Sequence, residues 1–345
     1  MNTWLTFRSS KIPLSFRLDK RVPIVLGSLL IITLFVIIIS LSQGETFIHP
    51  IEVSKIILGI KNNNVEDTFI IKTLRLPRIL VAWLVGVGLA IAGTITQGIT
   101  RNPLAAPSII GVNAGAVFAA VTLLIFVPSF AMEILPIAAF LGGLIVSVLI
   151  YFVAWQNGSS PVRLILVGIS FNLIITALIN LMITFGEINS VSQALLWLIG
   201  SVYGRTWEHF MILFPWIIFS SVLAFLMASD LNTLQLGDDV AKGLGSTIEW
   251  QRGTLLLICV ALAGASVATA GAVGFVGFMT PHLSRRLVGV SHQGLLPTAA
   301  LMGGLMVMLA DLLGRLLFAP IEIPCGVITA IIGAPYFIFL LISQR

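Results

Sequence analysis

Residues 22–41 read VPIVLGSLLIITLFVIIISL, a run of 20 positions without a single charged side chain. About 20 apolar residues in an α-helix match the hydrocarbon core of a bilayer, which is ~30 Å thick. The run is too long for the apolar region of a secretory signal peptide, and no small-residue cleavage pattern follows it. It therefore predicts a retained transmembrane helix.

The rest of the chain has the same character. Of its 345 residues, 58% are hydrophobic and 10% are charged, and the mean hydropathy is +1.07. Soluble domains carry about 25% charged residues, so this composition excludes a water-soluble enzyme and a disordered regulator. The apolar runs are continuous rather than alternating, which excludes a membrane β-barrel. The sequence predicts an all-α polytopic membrane protein.

Ten apolar runs are predicted to span the membrane. They cover residues 22–41, 79–98, 108–127, 134–155, 164–185, 210–228, 253–272, 273–290, 295–313 and 324–342. The run 273–290 is the least regular of the ten, because Pro281 and the pair Arg285-Arg286 interrupt it. Residues 192–203 are amphipathic and too short to cross.

The placement of charge predicts the orientation. Ten spans put both termini on one side, and cytoplasmic termini place 12 of the 19 basic residues inside, as the positive-inside rule requires. We expect residues 1–21 to be a cytoplasmic segment, residues 22–342 a single transmembrane domain, and residues 43–78 an outer loop. Because the basic residues lie mostly between apolar runs, they suit contact with membrane lipid better than contact with nucleic acid.

Three arginines oppose this rule on the outer side, namely Arg75, Arg78 and Arg315. Their position suggests that they have a role other than orienting the chain. Asp311 lies four residues before Arg315, one helical turn away on the same face, and the simplest interpretation is a local ion pair at a helix end.

Charge is scarce inside the predicted spans, where only Asp311 comes near one. Carriers coupled to protons or sodium usually keep ionisable residues in mid-span. The chain also has no Walker A loop, no HExxH motif and no metal-ligand cluster. We therefore expect the energy source to lie on another polypeptide. A stand-alone secondary carrier and an intramembrane enzyme are the alternatives.

Two stretches combine polar or small residues in unusual patterns. Residues 231–252 are polar, and within them residues 234–245 predict two short amphipathic helices around glycine breaks. Such a pattern suits a docking element for a soluble partner, with an interfacial helix as the alternative. Near the irregular eighth run the small or helix-breaking residues are Gly271, Gly274, Gly277 and Pro281. Close helix packing is the default interpretation of these residues, and a hinge is the alternative.

The chain also shows a weak internal similarity. A shift of 178 positions gives eight identities among the 36 positions of residues 80–115. Glycine and proline are among the matches, including Gly93 with Gly271 and Pro103 with Pro281. The two copies start on opposite sides of the membrane, so they would form an inverted repeat, a common construction in transporters.

Ordered motifs after residue 70 resemble those of the FecCD-type permeases of ABC importers, which include iron–siderophore and vitamin B12 permeases. The motifs are Arg75-Leu76-Pro77-Arg78, Gln97, Asn102-Pro103-Leu104-Ala105, Gly111-Val112-Asn113, Leu236-Gly237-Asp238, Gly274-Phe275-Val276-Gly277-Phe278, Pro281-His282, Ala310-Asp311 and Gly333-Ala334-Pro335. Ala106 stands where the family often has an acidic residue.

The resemblance implies a type II ABC importer architecture with ten helices per permease, in the bacterial cytoplasmic membrane. Its expected partners are a second permease subunit, two ATPase subunits and an extracytoplasmic binding protein. ATP and Mg are expected on the ATPase, and this chain is expected to bind no cofactor or metal and to have no enzymatic activity. The implied cargo is an iron(III)–siderophore complex, with haem or cobalamin as the alternative.

The resemblance also assigns roles to residues. The outer arginines Arg75, Arg78 and Arg315 are expected to dock acidic residues of the binding protein. The residues expected to couple to the ATPase are Leu236, Gly237, Asp238, Asp239, Ala241, Lys242 and Gly245. The residues expected in the inner gate loop are Ser159, Ser160, Pro161 and Val162.

Overall fold

The computed structural model describes residues 4–8, 15–60, 64–127, 131–156 and 158–343. The helices are α1 (Arg21–Ser42), α2 (Pro50–Ile57), α3 (Val65–Phe69), α4 (Leu76–Thr100), α5 (Val112–Phe126), α6 (Ala131–Ala154), α7 (Pro161–Phe185), α8 (Ile188–Ile199), α9 (Trp207–Leu226), α10 (Ala228–Gln235), α11 (Asp238–Gly243), α12 (Ile248–Ala270), α13 (Val276–Val288), α14 (His292–Leu316) and α15 (Cys325–Ser343). A π-helical turn, Ile70–Arg75, joins α3 to α4.

A short hairpin precedes the first span. Strands β1 (Trp4–Arg8) and β2 (Ser15–Asp19) pair antiparallel, with Trp4 opposite Asp19. The predicted cytoplasmic segment therefore contains regular structure that its sequence did not indicate. Lys11 of this segment and Lys61 of the predicted outer loop lie outside the described residues.

Every predicted span contains a helix, and the helices differ in length. Within the described residues seven are long and apolar enough to cross a membrane, namely α1, α4 with the turns before it, α6, α7, α9, α12 and α14. Helices α5, α8 and α15 are shorter but apolar. Apart from the short hairpin, the described chain is helical, and the protein is a multi-pass membrane protein.

Helix α4 lies at the centre of the molecule, and 89% of the residues in its most apolar 18-residue stretch are buried. Glycines let its neighbours approach at backbone distance. A Cβ atom at Gly86 would overlap the carbonyl of Gly303 in α14, and one at Gly93 would overlap the carbonyl of Gly277 in α13. The hydrophobic effect does not drive helices together in lipid. Close van der Waals contacts of this kind therefore supply much of the packing energy.

The eighth predicted run differs from a full span. Helix α13 has 13 residues, which is about 20 Å of helix and less than the ~30 Å core of a bilayer. It begins beside the middle of α4, where Gly277 faces Leu89 and Gly93. Residues 271–275 are not helical, so α13 is shorter than a full span.

The internal similarity is matched only in part by the helices. Gly111 and Gly289 are aligned by the shift, and both have a positive φ, 81° and 83°. Gly93, however, lies inside α4, whereas its counterpart Gly271 ends α12. The inverted repeat therefore stays a prediction.

Candidate functional site

One end of the molecule, the predicted outer end, carries a cluster of four charges. The Arg78 guanidinium contacts Asp311 Oδ1 at 2.7 Å and Glu322 Oε2 at 2.9 Å. Asp311 also pairs with Arg315 one turn along α14, at 3.3 Å, as its sequence spacing predicted. The side chains of Asp311 and Arg315 are only 4% and 7% exposed, whereas Glu322 is 34% exposed. Asp311 thus neutralises two arginines at a site that is largely shielded from water.

Two of the outer arginines hold the end of α1. Arg75 donates to the carbonyl oxygens of Leu41 and Thr46 at 2.6 Å each. Arg315 donates to Ser40, to its Oγ at 2.8 Å and its carbonyl at 3.1 Å. The last carbonyls of a helix lack intrahelical donors and carry partial negative charge, so guanidinium groups satisfy them well. These contacts lock α1 against α4 and α14.

The three predicted docking arginines share one outward cleft of about 430 Å³. Arg78 is 13% exposed as a side chain, and Arg75 and Arg315 are each 8% exposed as residues. Glu45, Glu66 and Glu322 also line the cleft, so it presents both signs of charge. The structure therefore brings the three arginines together but gives each of them partners within the chain.

At the opposite, predicted inner end, residues 234–245 hold one whole helix, α11, and only the last two residues of α10, which begins at Ala228; the prediction of two helices within this stretch is therefore only half right. Gly237, with φ 102°, separates them, and Gly245, with φ 81°, ends the second segment. Ala241 is fully buried and anchors α11. Asp239 and Lys242 are exposed beside a row of exposed apolar side chains. That row is Leu236 (60% exposed), Val240 (51%) and Leu244 (66%).

Asp238 connects this inner surface to the spans. Its Oδ1 accepts from Arg252 in α12 at 2.9 Å and from Arg101 after α4 at 3.0 Å. Arg252 is 1% exposed as a side chain, so Asp238 supplies the counter-charge that a buried guanidinium needs. The first residue of α11 is thereby fixed to two spanning helices.

Arg252 and its neighbour Glu249 also hold the predicted gate loop. Glu249 accepts from the Ser159 backbone N–H at 3.0 Å and from its hydroxyl at 2.7 Å, and Arg252 donates to the Ser159 carbonyl. Ser160 and Pro161 begin α7, and Val162 is 66% exposed. The Ser159 hydroxyl is therefore engaged by α12, and the loop is tied through Arg252 to Asp238.

The residues considered for a hinge lie on three different elements. Gly271 ends α12 with φ 72° and leaves no room for a Cβ beside the Trp197 carbonyl. Gly277 and Pro281 are buried in α13, whereas a Cβ at Gly274 would meet nothing within 4 Å. Gly271 and Gly277 therefore serve close packing, and Gly274 lies in open space in the irregular segment.

Sequence reasoning missed several residues of these sites. Arg101 and Arg252 were counted only toward orientation, and Glu249 and Glu322 were not singled out. The polar run of residues 231–252, which ends at Arg252, was the one feature of the sequence that could have identified this arginine. No signal in a single sequence pairs Arg78 with Asp311, because 233 positions separate them.

Many apolar helices with charged clusters at both ends are typical of a membrane transport permease. Residues 32–343 match the model of the FecCD transport family. The chain belongs to that family.

Relatives agree over nearly the full length. The Bacillus subtilis protein named probable siderophore transport system permease YfhA is 44% identical, with 95% of this chain and 96% of the relative covered. YfmE of the same organism, an Fe(3+)-citrate import system permease, is 39% identical, with 94% and 96% covered. A solved inward-facing, metal-chelate type ABC transporter is 32% identical, with a TM-score of 0.84 and coverage of 93% of this chain and 99% of that one.

Proposed function

We propose that this protein imports iron(III)–siderophore complexes as the permease subunit of an ABC importer. The observation that carries the proposal is the exposed row Leu236, Val240 and Leu244, in and beside α11 and outside the spanning helices. Exposed apolar residues rimmed by charged ones mark a protein interaction site. Asp238 ties that surface to α4 and α12, so a partner that moves α11 also pulls on the spans.

Two ATPase subunits dock on the inner surfaces of a pair of permeases, bind ATP and Mg, and leave this chain without a cofactor. ATP-driven closure of the ATPases moves the two permeases relative to each other and opens the route between them in alternation. We expect both termini of the chain to lie in the cytoplasm, because the positive-inside rule puts the side with most of the basic residues there.

A substrate-binding protein docks on the outer cleft that contains Arg75, Arg78 and Arg315. An incoming carboxylate competes most easily with Glu322, the more exposed of the two acidic partners of Arg78. Arginine suits such an exchange, since its planar guanidinium binds carboxylates through two hydrogen bonds. Arg75 and Arg315 support the cleft by holding α1.

The names of the relatives support a ferric chelate as cargo, because two of them are named for siderophore and Fe(3+)-citrate transport. Haem and cobalamin are the competing cargoes within the same family. Uptake of labelled ferric siderophores, haem and cobalamin by a deletion strain that carries this gene and its partners separates them. Uptake of haem or cobalamin alone would contradict the proposal.

The docking surface is tested with Val240→Asp. A buried charge at an apolar contact is costly, so we expect co-purification of the ATPase and uptake of the ferric siderophore to fall at least tenfold. Leu58→Asp is the matched control, since Leu58 is also exposed (74%) but follows α2 at the outer end. Normal ATPase binding by Val240→Asp would show that the ATPase docks elsewhere.

A further inference from the structure

A loop between α8 and α9 places one more arginine, Arg205, at the outer end. Gly200 and Gly204 have φ of 76° and 68°, which lets the loop fold back tightly. Its first residues are wedged between two spans, because Ser201 N–H donates to the Ala270 carbonyl at 2.7 Å and Gly326 N–H donates to the Gly200 carbonyl at 3.1 Å. The backbone that carries Arg205 is therefore fixed.

Arg205 lacks an acidic partner within the described part of the chain, where no carboxylate comes within 4.0 Å of its guanidinium. Its Nη1 meets His209 Nε2 at 3.1 Å, and its buried Nε–H has no acceptor. Burial lowers the pKa of Arg205, although an arginine stays protonated at neutral pH. A buried donor without an acceptor in a charged group calls for a ligand or another explanation.

The guanidinium lines a cavity of about 430 Å³ that opens outward. The other residues around the cavity include Ser201, Tyr203, Glu322 and Pro324. Glu322 does not cancel the charge of Arg205, because it is paired with Arg78, whose guanidinium also lies 5.5 Å from the centre of the Tyr203 ring. The cavity therefore holds an excess of positive charge, and its partly enclosed walls concentrate the resulting field.

The cavity continues toward a second, apolar surface. That surface is lined by Ile199, Ala272, Phe275 and Gly326, and the Gly200–Gly326 contact lies between the two. A ligand held at Arg205 would thus stand beside an open apolar surface. This position suits a cargo that enters from the outer side better than a group that stays on a docked protein.

We propose that Arg205 binds a carboxylate of the incoming ferric chelate, so that this cavity is an entry site selective for carboxylate-bearing chelates. The inference rests on the proposed function and names the substrate class for it. Arg205 lines the cavity, so its guanidinium can donate a charge-assisted hydrogen bond to a ligand carboxylate. Neutral chelates without a carboxylate gain nothing from this contact.

The test compares labelled ferric citrate, which bears carboxylates, with labelled ferrichrome, a neutral trihydroxamate. Both are supplied to a deletion strain that expresses the complete transporter with Arg205→Gln or Arg205→Lys. We expect Arg205→Gln to raise the half-saturating concentration of ferric citrate about tenfold or more, the effect of one charge-assisted hydrogen bond, and to leave any ferrichrome uptake unchanged. Arg205→Lys should keep part of the citrate uptake because it keeps the charge.

Two controls separate a cargo site from other roles. Lys55→Gln removes an exposed outer positive charge that is paired with Glu52, and it should change neither uptake. Affinity of the binding protein for the purified transporter is measured directly, and Arg205→Gln should leave it intact. A loss of that affinity, or equal losses for both chelates, would assign Arg205 to docking or folding and overturn the proposal.

Two further outcomes bear on it. Unchanged uptake of ferric citrate by Arg205→Gln at normal membrane levels would overturn the proposal. If the unaltered transporter carries ferrichrome but not ferric citrate, the carboxylate site is wrong while siderophore import stands. If it carries neither these nor any other ferric siderophore, the proposed function fails as well.

Discussion

Asp311 is one of the few charged residues near the spans, and it pairs with two arginines. One carboxylate, 4% exposed, faces both Arg78 and Arg315, and those arginines in turn reach Glu322 and the end of α1. A buried ion pair is costly to form, and it is more costly to break by removing one partner. Single residues at the outer end therefore determine whether three helices stay together.

Replacement of Asp311 by Asn should destabilise the protein strongly, because two guanidinium groups lose their shared counter-charge in a place that excludes water. We expect a loss of about 3 kcal/mol in the free energy of unfolding, or a clear fall in the midpoint of thermal unfolding in detergent. Glu322→Gln is the control, and its effect should be much smaller because Glu322 is 34% exposed. Equal effects of the two variants would contradict the central role of Asp311.

At the scale of elements, the short helix α11 connects an exposed surface on one side to the spanning helices on the other. Its exposed side carries Val240, and its first residue, Asp238, is bound to Arg252 and Arg101. Arg252 continues the connection to Ser159, which precedes α7. A displacement of α11 would therefore act on α4, α12 and the loop before α7 through Asp238 and Arg252.

Asp238→Asn should weaken this junction. The buried Arg252 loses its carboxylate, and we expect a loss of about 2 kcal/mol in the free energy of unfolding, the usual size for a hydrogen bond to a charged group. Asp239→Asn is a neighbouring control with the same chemistry, because Asp239 is exposed. If thermal unfolding in detergent shows the same midpoint for both variants, the junction does not stabilise α11.

At the scale of the whole molecule, the two ends differ in kind. The predicted outer end has a charged cleft and the Arg205 cavity, whereas the predicted inner end has an exposed apolar row and the junction of Asp238 with the buried Arg252. The two ends therefore differ in the chemistry that they offer to a partner. The glycine contacts of α4 with α13 and α14 make the central packing close.

The orientation gives a prediction at this scale. Cys259 and Cys325 are both buried, so an introduced cysteine should dominate labelling by a membrane-impermeant maleimide. Leu58→Cys, at a position 74% exposed, should react in intact cells. Val290→Cys, at a position 68% exposed between α13 and α14, should react only after the membrane is permeabilised. The reverse pattern would place the termini outside.

Sequence reasoning reached the class of the protein and much of the site, for identifiable reasons. Each of the ten apolar runs contains a helix, as predicted, because the hydropathy of a stretch depends only on consecutive residues. The glycine breaks predicted the break at Gly237 and helix α11, since glycine is suited to positive φ, but not where α10 begins. The eighth run was predicted as a span, whereas α13 has only 13 residues, because residues 271–275 are not helical.

The sequence by itself determined that the chain is a many-span membrane protein with scarce internal charge, since too few polar residues are present to cover a soluble surface. The tertiary structure decided what each charge does. It paired Arg78 with Asp311, used Arg75 and Arg315 to hold α1, buried Arg252 against Asp238, and left Arg205 without a carboxylate partner in the described chain. The physical reason is that hydrophobic burial sums along the chain, whereas an ion pair depends on distances of a few ångströms that only helix packing sets.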